Sequence, residues 1–255
     1  MEKCVNLSVA SHRAQESNRR LAARTAHLLP ETEGHGTQGR VLKVALTMFA
    51  ERGYAATSVR DIAAAVGVKG ATIYAHYASK EHILAELCRI GHDAHYRGLR
   101  TAVLGTSGRP VDQLIAYVQA HVGFHTTYPM LAVVANSELH ALSKELGAST
   151  FLLRRQSVEL LREIVERGVH DHTFHVPDVW LAVAAIGGMG LRVAYWFSAD
   201  HALSAAQVAD GYTEFALRLV GTPPRRGTAQ AADPEADSVA QRRPRRQQKH
   251  EFPDR

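Results

Sequence analysis

The sequence predicts an all-α fold, with a small three-helix unit near the N-terminus and a larger helical domain behind it. Three observations lead there. Apolar residues recur at i, i+3, i+4 and i+7 in successive runs along the 255 residues. Gly, Pro and Ser/Thr/Asp residues punctuate these runs where helices stop and start. No apolar/polar alternation of the kind a strand needs extends beyond four residues.

Residues 1–36 are polar, with a short helical pattern at 17–28 and a Gly/Pro linker after it, and read as a mostly disordered arm carrying Arg13, Arg19, Arg20 and Arg24. From Arg40, residues Val41, Val44, Ala45, Met48 and Phe49 share one helical face, and Gly53 ends that helix. Val59, Ile62, Ala63 and Val66 mark a second, short helix. Thr57 or Ser58 caps it, and Asp61 sits in its first turn, where the helix dipole favours an anion. Gly67 supplies the left-handed turn, Val68 returns the chain to the core, and a helix over 69–77 follows with Ile73 and Tyr77 facing inward. That is the helix-turn-helix pattern, whose second helix lies in the DNA major groove. Ser79 caps a long helix over 79–104. Further helices are expected over 111–126, 129–142 (with Pro129 in the first turn), 148–170, 178–199 and 204–220. Residues 222–255 form a basic tail too poor in large apolar side chains to fold alone, with Arg242-Arg-Pro-Arg-Arg246 its densest charge.

The run from Phe49-Ala-Glu-Arg-Gly-Tyr54 to Ile73-Tyr-Ala-His-Tyr-Ala-Ser-Lys-Glu81, with each glycine, cap and aromatic in place, resembles the N-terminal domain of TetR-family transcriptional regulators. The resemblance implies four parts: the arm at 1–36, a DNA-binding domain at 37–80, an effector-binding and dimerisation domain at 81–221, and the tail. Charge follows the same division. Residues 40–80 carry 6 basic and 2 acidic groups, whereas residues 81–220 carry 11 and 14, so the positive charge sits where phosphate would be met.

On the family pattern, the reading helix offers Lys69, Gly70, Ala71, Thr72, Tyr74 and His76. Gly70 and Ala71 are small enough for close approach to the bases. Ala71 and the Thr72 methyl suit thymine methyls, and Lys69 suits guanine O6/N7. Tyr74 and His76 match the family's phosphate ligands, and Lys80 is the matching cation at the start of the next helix. Thr57 or Ser58 is expected to donate to phosphate beside a helix N-terminus, and Arg60 to contact base or backbone. The family often has a polar residue followed by Lys in the turn. Here Lys69-Gly70 shifts the lysine by one position.

Val208, Tyr212, Phe215 and Leu219 form an apolar stripe, and Val179, Val183, Ile186, Gly190, Val193 and Phe197 another; both match the family's four-helix dimer interface, with an intrachain core as the alternative. The glycines of Gly187-Gly188-Met189-Gly190 cost about 1 kcal/mol each relative to alanine. They fit a helix or a ligand pressed against that backbone. His121, Phe124, His125, Tyr128, Met130, Asn136, Glu138 and His140 gather aromatic and polar groups in one stretch. The effector site is expected at His121, Phe124, His125, Tyr128, Asn136 and Met189. His121 and His125 have metal-ligand spacing, but no third ligand is legible, so no metal is expected. Residues 125–142 and 209–221 are also similar, more loosely, to actinobacterial regulators of lipid and sterol catabolism, which implies an acyl-CoA or related lipid as effector.

No Gly-rich nucleotide loop or nucleophile elbow is present, which speaks against an enzyme. No apolar run approaches the roughly 18 residues of a membrane span, and two widely spaced cysteines, Cys4 and Cys88, suit a reducing cytoplasm. The expected protein is a cytoplasmic, homodimeric repressor. It needs no cofactor, and its partners are double-stranded operator DNA and a small apolar or amphipathic effector.

Overall fold

The computed structural model describes residues 27–30, 36–198 and 200–222, and among them it contains helices and no strand. The expectations about the arginines of the N-terminal arm, Cys4 and the basic tail lie outside the described residues. Helix α1 spans Gly36–Arg52, four residues longer at its start than the apolar pattern suggested. Then come α2 (Val59–Val66), α3 (Gly70–Tyr74) and α4 (Lys80–Leu104). The second domain adds α5 (Pro110–Thr127), α6 (Pro129–Ser137), α7 (Lys144–His170), α8 (Val179–Trp196) and α9 (Ala205–Leu219).

Caps account for most boundaries. Ser58, Ser79, Ser143, Asp178 and Ser204 each accept a backbone N–H of the first turn that follows. At Ser58 and Ser204 the side chain three residues on returns the bond, closing a capping box. Ser143 caps α7, whose first residue, Lys144, lies four residues before the expected 148. Gly67 stops α2 with φ 76° and ψ 33°, a left-handed conformation suited to glycine. The expected helix over 69–77 is one five-residue turn of α-helix, after which His76 and Tyr77 bond back to the Ile73 carbonyl. The helix expected over 129–142 breaks at Glu138, and Leu139–Ala141 tightens into a 3-10 turn.

Among the described residues two large apolar cores form, and the first continues past residue 80. The first core unites Val41, Leu46 and Phe49 of α1 with Ile62, Ile73 and Tyr77. It also takes Ile83, Leu84, Leu87 and Cys88 from α4 and Met130, Leu131 and Val134 from α6. Leu29, placed by sequence in a disordered arm, is buried in this core. The second core joins Leu99 and Val103 of α4 to α5, α7, α8 and α9. Helix α4 therefore belongs to both. Gly91 lets it lie close to α6, since a Cβ there would stand 3.1 Å from Ala135 Cβ. Burial also pushes the Cys88 thiol up to about 12, which keeps it protonated and inert.

Helix α8 corrects two expectations. Its 18 residues reach a mean hydropathy of 1.4, long and apolar enough by length and composition to cross a bilayer. Its stripe Val183, Ile186, Val193 and Phe197, read from sequence as an interface, is buried in the second core of the same chain. The exposed face is a different one, carrying Leu181, Arg192 and Tyr195.

The shared first core makes a prediction. Leu131→Ala on α6, remote from the helix-turn-helix in sequence, should destabilise that core by about 2–5 kcal/mol. Urea unfolding, with amide exchange read on α1 and α2, checks this. Unchanged exchange there would mean that α6 does not support the first three helices.

Candidate nucleic-acid interface and ligand cavity

Around the helix-turn-helix, the exposed side chains gather on one side of α2 and α3. Lys69, Ala71, Tyr74 and His76 are exposed, Gly70 and Thr72 are half-buried, and Ile73 and Tyr77 hold the helix to the core. An open groove runs from Arg60 and Ser58 at the start of α2 to Tyr74, Ser79 and Lys80. Val59 and Arg60 open α2 in this groove. Their backbone N–H groups have no preceding helical carbonyl to bond, so they are suited to an anion.

Three of the expected phosphate donors have other work. Lys80 Nζ donates to the carbonyls of Tyr54 and Thr57, both at 2.8 Å, and lies 4.2 Å over the Tyr54 ring. It fastens the start of α4 to the loop between α1 and α2. Thr57 is buried, and its hydroxyl donates to the Gly53 carbonyl at 3.0 Å. Ser58 is the cap of α2, and its hydroxyl donates to Asp61 Oδ2 at 2.6 Å. That bond is the main reason the Asp61 carboxyl is held below its usual range. Sequence spacing put all three near the expected phosphate path, but backbone carbonyls take the Lys80 and Thr57 protons and the Asp61 carboxylate takes that of Ser58. Arg60, Lys69, Tyr74 and His76 keep exposed side chains on that face.

The second feature is a cavity of about 250 Å³ bounded by α4, α5, α6, α7 and α8. Of the expected effector residues, His121, Phe124, His125 and Asn136 line it. Tyr128 packs against the first core, and Met189 packs against the second. The residues that sequence reasoning missed come from other helices: His92 and His95 from α4, Arg154 and Ser157 from α7, Trp180 and Leu191 from α8. Arg154 and Trp180 are exposed, so the cavity opens between α7 and α8. Among the described residues, Arg154 is the only Lys, Arg, Asp or Glu in the lining.

The glycines of α8 have distinct roles here. A Cβ at Gly190 would stand 2.1 Å from the His121 ring, so only glycine admits that ring. Gly187 bonds His121 Nε2 through its carbonyl at 3.1 Å. Both Gly187 and Gly188 leave open space along the cavity wall. Deeper in, Tyr117 donates to the Ser157 carbonyl at 3.0 Å.

Burial disfavours the charged form of every cavity histidine. It pulls His92 and His121 to about 4 and His125 to about 3, and holds His95 well below its ordinary value. At neutral pH the cluster is a set of uncharged, polar, polarisable rings. Ring contacts knit it together: His121 and His125 lie 4.6 Å apart by centroid, and His95 lies 5.1 Å from Phe124.

On the surface stripe of α9 the expectations divide. Val208 is 3% exposed and belongs to the second core of its own chain. Tyr212 is half-buried against Trp196, with ring centroids 6.5 Å apart. Phe215, 56% exposed, and Leu219 face outward.

Two predictions follow from this geometry. Lys80→Met removes two charge-assisted bonds and should lower stability by about 1.5–3 kcal/mol. It should leave the salt dependence of DNA binding unchanged, whereas Arg60→Ala should reduce the slope of log affinity against log salt by about 1. Filter binding over a salt series, beside thermal melts, separates the two roles. For the histidines, the folded-state values lie below the unfolded value of 6.5. The unfolded chain therefore binds more protons below that pH, and stability falls as pH drops through 6.5. Between pH 7 and pH 5 the loss should be about 1–2 kcal/mol for each histidine kept neutral, visible as a falling urea midpoint. An unchanged midpoint would mean that the rings are not held neutral.

Known proteins match both parts of the chain. Residues 41–87 match the family of bacterial regulatory proteins, tetR family, and residues 107–220 match the tetracyclin repressor-like C-terminal domain. A regulatory protein in the tetR family from Rhodococcus RHA1 is 30% identical, with a TM-score of 0.69 over 74% of this chain and 99% of that one. The transcriptional repressor KstR2 of Rhodococcus jostii is 27% identical over 199 residues, covering 76% of this chain and 97% of its own. The structure of the ketosteroid transcriptional regulator KstR2 of Mycobacterium tuberculosis is also 27% identical, with a TM-score of 0.67 over 73% of this chain and 96% of that one. With the helix-turn-helix, the shared α4 and the cavity in place, the chain belongs to the TetR family and is a DNA-binding transcriptional regulator.

Proposed function

We propose that the protein is a homodimeric repressor that leaves its operator when an amphipathic lipid, such as an acyl thioester, fills the histidine-lined cavity. The observation that carries this reading is the position of the cavity on α4. Going along that helix, Lys80 holds the helix-turn-helix, Ile83 to Cys88 share its core, and Gly91, His92 and His95 line the cavity. At 1.5 Å per residue, His95 lies about 22 Å from Lys80 along one rigid element. A ligand wedged against α4 tilts it and changes the spacing of the two reading helices, which must enter major grooves about 34–36 Å apart.

The cavity's chemistry supports the ligand class. Its body is apolar and aromatic, with neutral imidazoles, and takes an acyl chain or a small ring system. Arg154 at the mouth suits a carboxylate or phosphate that remains near solvent. The repressor and ketosteroid-regulator names of the KstR2 relatives support both the direction of control and a lipid effector. On the DNA side, Lys69, Gly70, Ala71 and Thr72 face bases, while Arg60, Tyr74, His76 and the N–H groups opening α2 meet phosphate. Dimerisation uses Tyr212, Phe215 and Leu219 of α9 with the exposed face of α8, whose Leu181 and Tyr195 are otherwise apolar side chains in water. The protein works in the cytoplasm, where operator DNA lies, by binding rather than turnover.

Phe215→Glu should give monomers by sedimentation and weaken operator binding severely, because a buried unpaired carboxylate costs several kcal/mol. Dimers that persist in this variant would move the interface off α9. For the switch, candidate acyl thioesters are titrated into free and operator-bound protein. A coupling of about 1–3 kcal/mol should make the two affinities differ roughly 5–150-fold, and by reciprocity the ligand should loosen the operator by the same factor. Equal affinities would exclude the compound as an inducer.

A further inference from the structure

Three imidazoles converge in the cavity, His95 from α4 and His121 and His125 one turn apart on α5. One ring nitrogen of each lies within 4.8 Å of those of the other two. Their hydrogen bonds fix the tautomers. A backbone carbonyl can only accept. His121 Nε2, 3.1 Å from the Gly187 carbonyl, therefore carries its proton and leaves Nδ1 with a lone pair. His125 Nδ1, 2.7 Å from the His121 carbonyl, likewise carries its proton and leaves Nε2 free to ligate. His95 Nε2 meets His121 Nδ1 at 2.8 Å, and so donates to it. Moving that one proton to His95 Nδ1 leaves three neutral rings with lone pairs and no net change in charge.

We propose that His95, His121 and His125 form a binding site for one divalent transition-metal ion, with a further coordination position open to the cavity. Imidazole nitrogen suits zinc, cobalt, nickel and copper rather than magnesium or calcium. Zinc–nitrogen bonds of about 2.0–2.1 Å place tetrahedral ligand atoms about 3.3 Å apart. His95 Nε2 and His121 Nδ1, 2.8 Å apart, need to separate by about 0.5 Å to reach that spacing, and every pair of ligand atoms already lies within 4.8 Å. Two of the three already bond a backbone carbonyl through the other nitrogen, the outer contact that orients metal-ligating histidines. Gly190 makes room for one of them. Among the described residues no carboxylate lines the cavity, so these ligands leave the ion its full positive charge. The open position then favours an effector that brings an anionic oxygen or a thiolate sulfur.

The test uses the full chain, purified without a histidine tag, stripped with EDTA and titrated with cobalt chloride. It is run without DNA, so its outcome is independent of operator release. Visible cobalt bands should saturate at one ion per chain and disappear on adding equimolar zinc. They should be lost in His95→Ala and in His125→Ala and retained in His140→Ala, whose ring is exposed elsewhere. Should either cavity variant lose its native circular dichroism, the wild type is read directly by long-range proton–nitrogen spectra of the histidine rings. Zinc should shift His121 Nδ1 and His125 Nε2 and move the His95 proton to Nδ1. Absence of cobalt bands in the wild type, bands that survive in both cavity variants, or ring nitrogens unmoved by zinc would overturn the site.

Discussion

A single uninterrupted helix, α4, constrains everything else in this molecule. Its first turns complete the core of the helix-turn-helix, its middle forms one wall of the cavity, and its last turns enter the second core. The Lys80 ammonium locks its start by bonding two carbonyls of the α1–α2 loop, and Glu81 accepts the Ser143 N–H at 2.7 Å, tying the same turn to the start of α7. A rigid helix tied to the helix-turn-helix at its start carries a tilt imposed at its middle to that end. Packed cores shift between discrete arrangements rather than deforming smoothly, so a small motion at the cavity can become a change in reading-helix spacing.

The cavity stands out for its mixture of polar rings and low polarity. Four histidines in a region with one charged neighbour would be costly if they were charged, and burial keeps them neutral. Neutral rings still require hydrogen-bond partners. His121 and His125 find theirs in backbone carbonyls, and His95 finds its partner in His121. His92 Nε2 is buried without a partner. A polar cavity with spare hydrogen-bonding capacity is suited to receive something, whether the head of a lipid, a metal ion or both together.

Helix α8 shows how composition alone can mislead. It is apolar on most of its circumference because one face joins the second core, another walls the cavity with glycines, and a third is exposed. In the proposed dimer the exposed face is covered as well, which accounts for a hydropathy that would otherwise suit a bilayer.

The sequence determined the order of the helices, the caps at Ser58, Ser79 and Ser204, the left-handed turn at Gly67 and the inward residues Val41, Ala45, Phe49, Ile62, Ala63 and Ile73. All of these depend on residues within a few positions of one another, where 3.6-residue periodicity and capping chemistry act. It also placed Lys69, Tyr74 and His76 on an outer face, since Ile73 and Tyr77 fix which side of that helix is buried. Only the tertiary structure decided what required distant partners. Lys80 and Thr57 looked free for phosphate until the fold brought backbone carbonyls to them. Val208 and the α8 stripe had interface spacing, but periodicity marks a buried face without saying which chain buries it. His95, 26 residues before His121, became its hydrogen-bond partner only because α4 and α5 pack side by side, a contact that no local pattern encodes.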